Sequence, residues 1–224
     1  MKTHTSIISI VICILCFFSP AHGQEQADLV PVRLPHNFSV RLPGTWKIIA
    51  SGSPMIETGL TLREYYKESM KLKQQPMVTK ETMLITAESP DGTSAVAITV
   101  SPPMGITQKL FGNIPDEKRL EEFAAIFTEK TKQLGLQNSF SVIGQTKAKM
   151  ITLRRVQRIY LLGLTYTVLH ENEPKKAMAR RQYILPISNK VIMFVFSAPE
   201  GSDAEWNMQL ISGDAIYSFQ QNLY

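Results

Sequence analysis

The residues with chemistry to offer are few, and their one concentration of like charge is basic. Lys147 and Lys149, then Arg154, Arg155 and Arg158, fall on or between two consecutive strand-like runs; Lys175, Lys176, Arg180 and Arg181 follow on the next hairpin. Alternate residues of a strand share a face, so Lys147 goes with Lys149, and Arg154 with Arg158, each pair projecting to one side of a sheet. Neighbouring strands would merge the pairs into a basic strip. Such a strip either blocks edge-to-edge aggregation or docks an acidic protein or an anionic envelope surface. Aromatic residues able to stack bases are not interleaved with it, which weakens a nucleic-acid reading. A second pair of interest is Tyr65 and Tyr66, on a short predicted helix, where tyrosines serve either as packing or as an interface contact.

Catalytic and metal chemistry finds little to work with. Of the four histidines, only His36 and His170 lie beyond residue 23, far apart and outside any ligand-spaced cluster. Neither a calcium-loop pattern, nor G-x-S-x-G, nor S-x-x-K, nor a phosphate-binding glycine loop occurs. Carboxylate neighbours such as Glu121-Glu122 and Glu171/Glu173 read as solvated positions on a helix and in a loop. The sequence implies no cofactor and no metal, and assigns no catalytic residue.

Export is the clearest functional signal. Lys2, the apolar stretch Ile7–Phe18, Pro20 and Ala21-His22-Gly23 follow the order of a cleavable secretion signal. The stretch is shorter than the ~20 apolar residues a membrane-spanning helix needs. Both cysteines, Cys13 and Cys16, lie within it, so a mature chain from Gln24 has no disulfide and no thiolate. Subtracting Lys2 from the 24 basic residues leaves 23 against 19 acidic ones, a net charge of +4. That excess suits an anionic protein partner and falls short of a nucleic-acid signature. The mature protein is expected in the periplasm or outside the cell.

The elements that must position these residues form one domain. The spine is Lys190–Phe219: an unbroken apolar run, Val191–Phe196, reads as a central strand buried on both faces. A turn follows, then a helix capped by Asp203 and running to about Phe219. Gln24–Arg33 reads as a short irregular leader (residues 24–35 in all), because Pro31 and Pro35 discourage regular structure. Asn37–Pro43 alternates as a first strand, and Trp46 plugs the core after a Pro-Gly turn. Thr61 and Glu64 are spaced as a capping box for a helix ending near Lys73, with Leu62, Tyr65, Tyr66 and Met70 along one side. Glu81–Glu88 and Thr93–Ser101 flank a Pro-Asp-Gly turn as a hairpin. A helix from near Asp116 carries Leu120, Phe123, Ala124, Phe127 and Leu134 on one stripe, with Gly135 as its C-cap. Strands over Ser139–Met150, Arg155–Glu171 and Met178–Pro186 complete the set.

This order, with Phe38-Ser39-Val40-Arg41-Leu42-Pro43-Gly44-Thr45-Trp46 opening it, the amphipathic helix Leu120–Leu134, and the closing Ile216-Tyr217-Ser218-Phe219, resembles the Mog1/PsbP-like fold family. That family includes the bacterial DUF1795/DcrB-type envelope proteins, and the resemblance covers roughly residues 36–221. It implies an α+β fold: a single-domain α/β/α sandwich, spanning 36–224, with a central, mainly antiparallel sheet. It also implies non-catalytic work of the kind family members do as photosystem II assembly factors, a Ran-binding factor, envelope proteins and chaperones of secreted effectors. The resemblance carries over no catalytic residue. The resulting expectation is a binding or assembly protein engaging another cell-envelope protein through Lys147, Lys149, Arg154, Arg155, Arg158, Arg180, Arg181, Tyr65 and Tyr66. A carrier of a small apolar ligand or lipid, and an enzyme with an unrecognised site, stand as alternatives. A closed apolar cavity favours the carrier; an exposed groove or basic strip favours the protein partner.

Overall fold

The computed structural model describes residues 28–34, 38–54, 56–71, 83–102, 107–112, 117–138, 140–154, 158–170, 176–187 and 189–221. The expected secretion signal with Cys13 and Cys16, and residues His36, Asp116, Arg155 and Lys175, lie outside them.

The strand β9 (Lys190–Pro199) takes the middle of a seven-stranded antiparallel sheet. The sheet order is β3 (Lys47–Ser51), β4 (Met83–Glu88), β5 (Ala95–Ser101), β9, β8 (Ala177–Ile187), β7 (Arg158–His170) and β6 (Phe140–Arg154). Phe194 stands opposite Ile98 on one neighbour and Tyr183 on the other. One face of β9 is fully buried at Ile192, Phe194, Phe196 and Ala198, whereas Met193, Val195 and Ser197 on the other are half-buried. This corrects the expectation of two fully buried faces. The helix on that second side, α3 (Glu117–Asn138), packs on β6 at the far edge and leaves the middle of the sheet partly open.

A second sheet of β1 (Leu29–Leu34), β2 (Phe38–Pro43) and β10 (Gln220–Gln221) packs on the buried face together with α1 (Leu62–Ser69) and α4 (Asp203–Ser218). The other face carries α2 (Gln108–Gly112) against β7, and α3. The apolar interior accordingly divides in two: a large core around Val32, Leu42, Trp46, Phe194 and Met208, and a smaller one around Leu164, Tyr166 and Val168 under Phe123 and Phe127. Among the described residues no helix is long and apolar enough to cross a membrane.

Within the segment expected to be an irregular leader, Leu29–Leu34 is a strand. In β1, Pro31 pairs with Arg41 while Val32 and Leu34 reach the core with almost no exposure. Proline is tolerated because β1 is the edge of its sheet, where a missing N–H on the outer side forfeits no ladder bond. Three boundaries also shift. Ser202, not Asp203, caps α4, its hydroxyl accepting from Glu205 N at 3.2 Å, and Asp203 adds a favourable charge to the first turn. Gly135 does not end α3, which continues to Asn138; a glycine weakens a helix by about 1 kcal/mol without terminating it. The helix α1 stops at Ser69, and Met70 is 54% exposed rather than part of its buried side. The capping box itself is present: Thr61 Oγ1 accepts from Glu64 N at 3.2 Å, and Glu64 Oε2 accepts from Thr61 N at 2.8 Å.

Tyr65 is core. It is 2% exposed and its hydroxyl donates to Arg33 O at 2.7 Å, tying α1 to β1. Burial pushes its pKa up to about 12, with Arg33 acting in the opposite sense.

Two outcomes follow from this arrangement. Replacing Leu34 by Ala should cost about 2–4 kcal/mol in urea unfolding and lower Tm by on the order of 5–15 °C, whereas a dispensable leader would leave both unchanged. Tyr65→Phe should cost about 1 kcal/mol at neutral pH by stranding the Arg33 carbonyl. The fold holds the Tyr65 phenol neutral, so its contribution is complete below pH 10 and is lost as pH rises towards about 12. The stability difference between wild type and Tyr65→Phe should therefore shrink and then reverse over that window in denaturant titrations, because about two units of pKa outweigh about 1 kcal/mol.

Candidate functional site

The basic residues are sorted by strand parity. Ala148 and Met150 of β6 face α3, so Lys147, Lys149 and Ile151 face the side of α4. Across the sheet, Lys147 stands opposite Thr165, which stands opposite Arg181; Lys149 stands opposite Gly163, which stands opposite Tyr183. Lys147, Lys149 and Arg181 thus share one face on three adjacent strands. Both lysines are exposed and take part in no ion pair among the described residues. Arg181 donates from its NH2 to Gln209 Oε1 of α4 at 2.7 Å, while its Nε is buried without a partner. Ile143, 37% exposed, and Thr167 continue this face, with Thr167 Oγ1 donating to Glu200 Oε1 at 2.9 Å.

Arg180 is a correction to the expected strip. It projects to the opposite face, where its guanidinium carbon lies 5.1 Å from the Phe140 ring centroid and its NH2 is 3.3 Å from His170 Nε2. Alongside, the Tyr166 hydroxyl donates to Gln182 Oε1 at 2.9 Å, and burial raises its pKa while Arg180 opposes the rise. The Phe127 ring from α3 packs 5.6 Å from that of Tyr166. The Phe127–Tyr166 pair ties α3 to the sheet. Arg154 and Arg158 are register partners at one end of the β6–β7 pair. Of the two tyrosines, buried Tyr65 is no contact residue, and Tyr66 is half-buried against the large core.

The feature the sequence reading missed lies on α4. Met208, Ser212, Ala215 and Ile216 are buried, yet Trp206, Leu210 and Tyr217 stand 53%, 44% and 61% exposed on another side. Trp206, Leu210, Gly213 and Tyr217 recur at spacings of four, three and four, a single row on the helix surface. A helix apolar on two sides has no sharp amphipathic contrast, so the pattern read only as a core helix.

An open groove of about 1120 Å³ runs between α3 and β6, lined by Leu120, Glu121, Glu129, Lys132, Lys147, Lys149 and Met150 among others, so the two lysines of the edge strand also border it. It is not the closed apolar cavity a lipid carrier needs. Among the described residues no group of three or more His, Cys, Asp or Glu could hold a metal ion.

No protein-family model matches the chain, and neither does any curated protein. Solved structures do. The solution structure of cyanobacterial PsbP (CyanoP) from Synechocystis sp. PCC 6803 superposes with a TM-score of 0.52 at 12% identity, covering 92% of this chain and 99% of that one. The Saccharomyces cerevisiae Ran-binding protein Mog1p matches with a TM-score of 0.45 at 9% identity, covering 87% and 96%. The fold is Mog1/PsbP-like.

Proposed function

We propose that this protein is an exported, non-catalytic binding or assembly protein that engages another protein of the cell envelope. The observation that carries the reading is the shared face of Lys147, Lys149 and Arg181, bordered by the exposed apolar row of α4. Exposed lysines in no ion pair among the described residues, together with solvent-facing Trp, Leu and Tyr side chains on α4, make a surface that is costly to leave bare and suited to a partner. Long basic side chains at the rim speed encounter with an acidic protein and fix its orientation. The expected secretion signal places that partner in the periplasm or beyond.

The test is capture. Immobilised mature chain, residues 24–224, should retain a stoichiometric protein from cross-linked native envelope, and increasing salt should weaken the retention. The double variant Lys147→Glu/Lys149→Glu should weaken it about tenfold, the sum of two surface charge pairs turned repulsive, and remove most of its salt dependence. Its Tm should match wild type. Undiminished capture by the variant would remove the strip from the interface, and a lipid or small molecule in place of a protein would replace this reading with the carrier.

A further inference from the structure

We infer that the step between α4 and strands β6–β8 docks an acidic amphipathic segment of the protein partner, an inference that rests on the protein-binding reading above. The floor of the step is the sheet face with Lys147, Lys149, Arg181 and the apolar Ile143. Its wall is α4. Gln209, held by Arg181, has Trp206 and Gly213 as its surface neighbours three residues before and four after. The apolar row therefore adjoins the flank of the helix that meets β8. The other flank is occupied: Ser218 Oγ accepts from Arg41 N of β2 at 2.8 Å, and Ile211 packs against the core. Arg181 of the floor thus meets the wall at Gln209, next to Trp206 and Gly213 of the apolar row.

Charge fixes the sign of the occupant. Two exposed lysines that take part in no ion pair among the described residues, in line with Arg181, call for carboxylates. The row Trp206–Leu210–Tyr217 calls for aliphatic or aromatic groups at helical spacing, as in helix-in-groove recognition. Gly213 lies in the middle of the row, where a Cβ would meet nothing within 4 Å, so a partner backbone can approach closely there. A flat bilayer fits less well. The floor lies below the outer side of α4 by on the order of one helix diameter, ~10 Å, so a plane resting on Trp206 and Tyr217 leaves the lysines unmatched. A rounded segment with Glu or Asp on one side and Leu or Phe on the next fills the step and satisfies both surfaces.

The two tryptophans make the test direct, because Trp46 is 4% exposed and Trp206 53%, so acrylamide quenching reports chiefly on Trp206. The probe is a synthetic helical peptide of about 18 residues, ~5 turns, with glutamates along one face and leucines along the adjoining one. It should protect Trp206 from acrylamide and blue-shift its emission, a signal absent in W206F. Binding should weaken at least about tenfold in Lys147→Glu/Lys149→Glu, and about as much for a scrambled peptide of equal composition without an apolar face. Equal binding of both peptides, or binding that leaves Trp206 unprotected, overturns the inference. So does protection by phosphatidylglycerol vesicles but not by the peptide, which assigns the surface to a membrane. A photo-crosslinking residue at Leu210, compared with one at exposed Ile126 on α3, separates this failure from that of the parent reading. A captured partner crosslinked from 126 and not from 210 overturns the groove alone, whereas no partner from either position and none captured defeats the protein-binding reading itself.

Discussion

The three layers of this molecule meet at one aromatic junction. Phe219, the residue that ends α4, places its ring 5.6 Å from Phe38 of β2 and 5.8 Å, edge-on, from Phe194 of β9. It therefore joins the C-terminal helix, the small sheet and the central strand in one contact, each aromatic pair adding about 0.5–1.5 kcal/mol to the area buried. The chain continues straight into β10, whose two residues pair with β2. Halfway along the helix a second tie sets its rotation: Ser212 donates to Gln209 O at 2.9 Å, so Tyr183 of β8 supplies the proton in its 3.0 Å bond to Ser212. With position and rotation both determined, the outward direction of Trp206, Leu210 and Tyr217 follows from helical geometry alone.

Much of the frame was legible because short-range chemistry specifies it. The apolar run of β9, the Thr61/Glu64 capping box, and the Asp91 turn are local signals. In that turn the Asp91 carboxylate accepts from Ser89 Oγ and from Thr93 N and Oγ1, which holds its pKa below the usual carboxylate range. What escaped the sequence reading depends on neighbours distant in the chain. Pro31 signals irregular structure until β2 pairs with it and leaves its other side at a sheet edge. Arg180 and Arg181 look equivalent in a row of basic residues, and only the pleat sends one to Phe140 and the other to Gln209. The second apolar side of α4 was hidden because a helix buried all round and one buried on half its surface share the same composition.

Edge protection is the competing account of Lys147 and Lys149, and the geometry of β6 weighs against it as the whole explanation. The strand is the outer edge of the large sheet and would offer its unpaired backbone to another chain. Its pairing with β7, however, breaks register between Ile143 and Lys147, and Gly144 there adopts φ 69°, the left-handed region open to glycine. A bulge of this kind bends and overtwists an edge strand, which already discourages sheet-to-sheet addition. Thr146, next to the bulge, turns its hydroxyl inward to Thr128 of α3 at 2.6 Å. The edge is therefore blunted by backbone shape and by a covering helix before any charge is counted. The lysines follow the bulge in line with Arg181, which is tied to Gln209 of α4, the helix whose outer side carries Trp206, Leu210 and Tyr217. A residue needed only to repel an approaching strand has no reason to be placed in register with a guanidinium two strands away, and a residue that receives a partner does.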